Sequence, residues 1–303
     1  MRFSIWPSPQ RSWPEIVELV QHCEATGWDG VYYADHFMPN TLDGAPADGP
    51  TLECWAVLAA LASSTERLRL GTLVCGNTYR HPAVLANIAA AVDQISGGRL
   101  LLGLGAGWQV NEHKAYGIDL FDTRERLDHF EEACAVVTQM LGGGRANFAG
   151  RYYQVTDAPN DPGPVRGHLP LLVGGGGEQR TMRVAARFAD EWNIWSTPAL
   201  MRQKAEVLAR RCDEIDRDPA SIVRSTQALL FMSDDEAWLQ SRRDANLGQA
   251  SIIGTPAEVV EIVAAYAAAG VDELIVPDFT MGNPSRRLAT CDVFQAEVAA
   301  QLR

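Results

Sequence analysis

Apolar positions alternate between two spacings almost from end to end of the chain. Short β-rich runs at Arg2–Trp6, Gly30–Ala34, Arg69–Cys75, Arg99–Gly105, Pro170–Val173, Glu191–Trp195, Val223–Met232 and Asp272–Asp278 predict buried strands. Between them apolar residues recur every three or four positions. In "SWPEIVELVQHCEATG", Trp13, Ile16, Val17, Val20 and Cys23 share a helical face, Ser12 and Glu15 form a capping box, and Gly27 suits the end of the helix. Further helices are predicted over Leu52–Thr65, Pro82–Ile95, Gln179–Phe188 and Pro198–Ile215. Others run from an Asp122–Glu125 cap to Leu141 and from a Thr255–Glu258 cap to Ala269, and an amphipathic helix closes the chain.

Eight strands, each followed by at least one helix, define an α/β fold of the (β/α)8 TIM barrel type. A doubly wound sheet competes, but the count reaches eight and no linker or break in composition divides the chain, so residues 1–303 read as one barrel domain. "NFAGRYYQV" (Asn147–Val155) departs from the alternation and predicts a small β-hairpin inserted before strand five. Insertions of this kind shape the mouth of a barrel.

Composition narrows the function classes. A hydrophobic fraction of 47% with 21% charged residues fits a soluble protein with a large core. The formal charge of −12 argues against nucleic acid or an anionic membrane as partner, since phosphate backbones are held by clustered Lys and Arg. Six cysteines without a CxxC pair read as reduced thiols. The opening "MRFSIWPSPQ" has no signal-like apolar stretch, so a cytoplasmic protein is expected.

Barrel chemistry sits where strands end. Here those segments are "ADHF", "VCGNTYRHP", "GAGWQVNE", "GGGGEQRT" and "NIWS". Gly174–Gly177 either let the chain turn or let the following helix N-terminus hold a phosphate, with Arg180 as a charged neighbour. "GLGAGW" lacks the third glycine of a dinucleotide fingerprint, leaving close packing against a flat ring or a crowded rim. His36 is the candidate acid/base, with a structural hydrogen-bonded role as the alternative; His81 either caps the helix after it or faces the cavity. No His-x-His, His-x-x-x-His or Gly-x-Ser-x-Gly pattern is present. Metal ligation and nucleophilic hydrolysis are therefore disfavoured, and the chemistry points to a bound cofactor.

"GWDGVYYADHF", the stretch from "RLRLGTLVCGNTYRHP" to "GAGWQVNEHKAYGI", and "LPLLVGGGGEQRTMRVAARFADEWNIW" together resemble the luciferase-like flavin and deazaflavin oxidoreductases over about the first two hundred residues. The resemblance implies coenzyme F420, or alternatively FMN, with its phosphate near the loop after strand five. It places Asp35 at the cofactor and makes His36 catalytic. Ala106, Gly107 and Asn111 fall on the cofactor-contacting stretch after strand four, and Gly175, Gly176, Gly177, Gln179, Arg180 and Thr181 fall near the phosphate. It also implies a cis peptide at Leu73–Val74 behind the ring. Trp108 stands where sugar-phosphate dehydrogenases of the family have a catalytic Glu, and Asn40 stands where they have an active-site Trp. The expected activity is F420-dependent hydride exchange with a small organic substrate, in a homodimer. An FMN-dependent monooxygenase and a non-catalytic cofactor-binding protein are the alternatives.

Overall fold

The computed structural model describes residues 1–41, 43–245 and 247–303. Eight parallel strands close on themselves: β1 (Arg2–Trp6), β2 (Gly30–Tyr33), β3 (Arg69–Thr72), β4 (Leu100–Gly105), β5 (Leu171–Gly174), β6 (Glu191–Trp195), β7 (Val223–Gln227) and β8 (Glu273–Pro277). Each pairs with the next in order, and β8 pairs with β1, which completes a (β/α)8 barrel.

Among the described residues ten helices surround it: α1 (Trp13–Ala25), α2 (Cys54–Ser64), α3 (Pro82–Ser96), α4 (Val110–Tyr116), α5 (Thr123–Leu141), α6 (Thr181–Phe188), α7 (Pro198–Asp213), α8 (Glu236–Arg243), α9 (Pro256–Ala268) and α10 (Pro284–Val293). The chain ends in a π-helical turn, Phe294–Ala299, and a last short helix. Both capping boxes form, Ser12 with Glu15 and Thr255 with Glu258, because each reciprocally satisfies two backbone donors at a helix start. Gly27 takes φ +91°, a conformation that ends α1 without a Cβ penalty.

Side chains on alternate strand positions serve two cores. Phe3, Ile5, Val31, Leu70, Leu102 and Val173 pack outward against the helices, while Trp6, Tyr32, Leu101, Leu172 and Ile275 form a smaller cluster inside the barrel. Arg69 closes the floor by donating to Glu273 Oε2 at 2.9 Å and to Glu191 Oε1 at 2.6 Å. Among the described residues, no helix is long and apolar enough to cross a membrane.

Four expectations change. The third apolar run is not continuous: β3 stops at Thr72, the Leu73–Val74 peptide is cis, and Cys75–Gly76 resumes pairing with β4. "VRSTQALLFM" is two strands, since Leu229–Met232 leaves the barrel and pairs in parallel with Ser251–Gly254. The hairpin is longer than its apolar core implied and joins Arg145–Ala149 to Gln154–Pro159. Lastly, α6 begins at Thr181 rather than Gln179, with Arg180 at its N-cap.

Candidate active site

A cavity of about 610 Å³ opens at the C-terminal ends of the strands, the face where barrels carry their sites. Asp35, His36, Leu73, Val74, Ala106, Gly107, Gly175, Gly176 and Thr181 all line it. Asn111, Gly177, Gln179 and Arg180 do not. Asn111 is buried beside the loop after β2, where its amide donates to the Pro39 carbonyl at 2.8 Å. Arg180 turns away to Asp128, 2.5 Å from its guanidinium, and to Glu131 on α5, and Gln179 accepts from Arg211 at 3.2 Å. The position of Gly177 is crowded, as a Cβ there would meet Thr181 Oγ1 at 2.9 Å. His81 caps α3, its Nδ1 accepting from Ala83 N–H.

Glycine requirements on one wall come from a single side chain. Val74, just past the cis bond, lies over β4 and β5, and a Cβ on Gly105 or Gly174 would approach its methyls to 2.8 and 3.0 Å. Gly103 is crowded by backbone instead: a Cβ there would stand 2.0 Å from the Thr72 carbonyl oxygen. Beyond β5, Gly175 takes φ +124° and holds its register by accepting from Trp192 Nε1 at 2.9 Å. Among the described residues, no acceptor in the chain takes the Gly176 or Gly177 N–H. These free amides stand just before α6. Beside them Lys204 of α7 reaches the Gly176 carbonyl at 3.1 Å and Glu178 at 2.8 Å. The Gly176 and Gly177 amides and the Lys204 ammonium thus meet on one side of the cavity, while the Arg180 guanidinium is paired with α5.

His36 follows β2 and is held from behind. Its Nδ1 lies 2.8 Å from Glu112 Oε1, Phe37 N–H donates to Glu112 Oε2 at 2.7 Å, and the Tyr79 hydroxyl donates to the same carboxylate. Burial pushes the Glu112 pKa up, but the hydrogen bonds from His36, Phe37 and Tyr79 outweigh it and hold the carboxyl below its ordinary value. An ionised carboxylate only accepts, so Nδ1–H donates to Glu112 and Nε2 is the ring nitrogen left without a partner among the described residues. Asp35 is fully buried and clamped by Arg80 at 2.6 and 3.1 Å; Arg80 also bonds Glu53 at 2.7 Å. Burial raises the Asp35 pKa against the opposing pull of Arg80.

Glu112 has a consequence for acid stability. A carboxyl with a lowered folded pKa contributes stability that is full above the unfolded value and lost as the pH falls through the folded one. Glu112→Gln should therefore lower the Tm at neutral pH and flatten the acid limb of a Tm-against-pH curve below about pH 4. An acid limb identical to wild type would show that Glu112 is not ionised in the fold.

Sequence reading missed Glu112 and Lys204. Glu112 sits on α4, an inside-out helix: Asn111, Glu112 and His113 are buried while Val110 and Tyr116 are exposed. Gly117, left-handed at its C-cap, was the available signal for that helix. Lys204 lies on a charged surface helix, where nothing local separates it from solvated neighbours.

A closed barrel with a cavity of this size at the C-terminal ends of its strands has the architecture of barrel enzymes, whose sites lie on that face. The chain belongs to the luciferase-like monooxygenase family, whose profile matches residues 1–243. A protein of Microbacterium testaceum named F420-dependent glucose-6-phosphate dehydrogenase is 33% identical over 192 residues, covering 63% of this chain and 55% of that protein. One of the same name from Rhodococcus hoagii is 28% identical over 95% of this chain and 94% of its own length. Alignments to three such relatives span only 55 to 65% of their length. The coenzyme F420-dependent tetrahydromethanopterin reductase of Methanopyrus kandleri shares the fold with a TM-score of 0.83 and 18% identity, over 100% of this chain and 99% of that one.

Proposed function

We propose that this chain is an F420-dependent oxidoreductase acting on a small organic substrate at the barrel mouth. The observation that carries the reading is one cavity holding both a glycine anion cradle with its own lysine and an imidazole whose outer nitrogen is free. The F420-dependent relatives support it, one of them aligned over 94% of its length. Bound deazaflavin supplies two-electron hydride transfer. Gly176, Gly177, Thr181 and Lys204 would hold its phosphate. Val74, Ala106 and Gly107 would support the ring, and the clamped Asp35 would accept from its polar edge. His36 Nε2 accepts a proton from a substrate hydroxyl in one direction and returns it to a carbonyl oxygen in the other.

Assembly as a homodimer is part of the reading. Val84, Ile88, Ala91 and Ile95 form an apolar stripe along α3, and Val84 and Ile95 are 55% and 52% exposed.

Anaerobic titration of the protein with oxidised and reduced F420 and with FMN, followed by fluorescence, tests the cofactor. Micromolar binding of F420 is expected. FMN binding alone would favour the monooxygenase alternative, and bound F420 that no substrate reduces or oxidises would favour a carrier. Lys204→Met should weaken F420 roughly 10- to 100-fold, the worth of a charge-assisted hydrogen bond, without lowering the Tm. Arg180→Ala should leave that affinity unchanged, and the opposite pattern would return the phosphate to Arg180.

A further inference from the structure

We infer that the substrate is uncharged, with a ring-sized apolar body held against Trp6 and Trp195 and a polar group met by the Gln227 amide; this rests on reading the glycine cradle as the cofactor's phosphate site. The ends of β1, β6 and β7 build one side of the cavity. Trp195 and Gln227 are register partners. The Trp6 and Trp195 rings lie 5.9 Å apart at 48°, and Phe279 stands edge-on behind Trp6 at 5.1 Å. Such paired indoles offer a large apolar face to a flat or cyclic body.

Hydrogen-bonding capacity on this wall is unspent. Gln227 lines the cavity, is 5% exposed, and its Oε1 is buried without a partner. The neighbouring Asn193 uses its Nδ2 on Ser225 Oγ at 2.9 Å. A buried amide without a partner costs free energy until a ligand oxygen or N–H pairs with it.

Charge decides the class. Among the described lining residues Lys204 is the sole Lys or Arg, and it sits at the glycine loop already bonded to Glu178. Arg80 is taken by Asp35 and Glu53, and Glu112 stands directly behind His36. With the cofactor's phosphate on Lys204, an anionic substrate would find no other Lys or Arg among the described lining residues to pair with. Trp108, 57% exposed and edge-on to His36 at 5.6 Å, carries the apolar surface out to the rim. A neutral ring bearing one carbonyl or hydroxyl satisfies the wall and brings no unpaired charge.

The test uses F420-loaded protein and matched probes followed by saturation-transfer NMR. The neutral pair is cyclohexanone and methyl 4-oxocyclohexanecarboxylate, and the anionic pair is 4-oxocyclohexanecarboxylate and glucose 6-phosphate. Both neutral ketones are expected to bind saturably and both anions at least about tenfold more weakly. Gln227→Leu should weaken the neutral pair about tenfold without moving the F420 titration, and Gln227→Lys should narrow or reverse the preference. Should either variant misfold, the wild-type comparison decides. Equal or tighter binding of an anion, or no saturable binding of the neutral ketones, overturns the inference alone. Failure of F420 itself to bind, read independently from its fluorescence, removes the proposed function and this inference together.

Discussion

Replacing His36 with asparagine should lower turnover by a factor of about 10² to 10⁴ while leaving F420 affinity within about twofold of wild type. Asparagine can keep the bond that Nδ1 makes to Glu112, so the buried carboxylate stays paired. What disappears is Nε2, the ring nitrogen that Glu112 leaves without a partner. Glu112→Gln should give a smaller loss, since the ring survives but its tautomer is no longer imposed by an anion. Steady-state rates beside a cofactor titration separate the two roles. Equal loss of turnover and cofactor affinity in His36→Asn would make His36 a binding residue and sink the acid/base assignment.

The second large effect falls on stability. Gly103→Ala should cost about 3 kcal/mol or more, because its new Cβ would stand 2.0 Å from the Thr72 carbonyl oxygen. The strands cannot part cheaply there. Thr72 Oγ1 donates to the Gly103 carbonyl at 2.7 Å and accepts from the Gly103 N–H at 2.8 Å, tying the two backbones together. For a chain of this size such a loss lowers the Tm by roughly 5 °C or more. Gly176→Ala is the contrast, since its Cβ would meet Ile194 Cγ2 at 3.4 Å and Lys204 Cε at 4.0 Å, ordinary contacts. A thermal melt in which both variants match wild type would mean that β3 and β4 separate far more easily than these bonds imply.

Elements with a local cause were legible in the sequence. The eight barrel strands followed from apolar runs, and α1 and α9 followed from capping boxes that need only four residues to specify. The change of sheet after Gln227 was not legible, because Leu229–Met232 is as apolar as the strand before it and hydrophobicity does not name a pairing partner. At the site, Asp35, His36 and the glycines stand directly after strands, where barrel geometry itself aims them at the mouth. Arg180 suited a phosphate by charge and position, yet it lies outside the cavity lining and is paired on α5. Its real partners, Asp128 and Glu131, lie some fifty residues upstream on a helix that only the fold brings near. The inside-out polarity of α4 hid Glu112 for a related reason: amphipathicity assumes that polar faces meet water, and this one meets the loop carrying His36.

Among the described residues the last in the cavity wall is Gln227, so the described lining falls inside the 1–243 span that matches the family. Strand β8 joins β7 to β1, and Phe279 props Trp6 from outside the wall. The C-terminal quarter is thus the clasp that closes the ring of strands around the cavity.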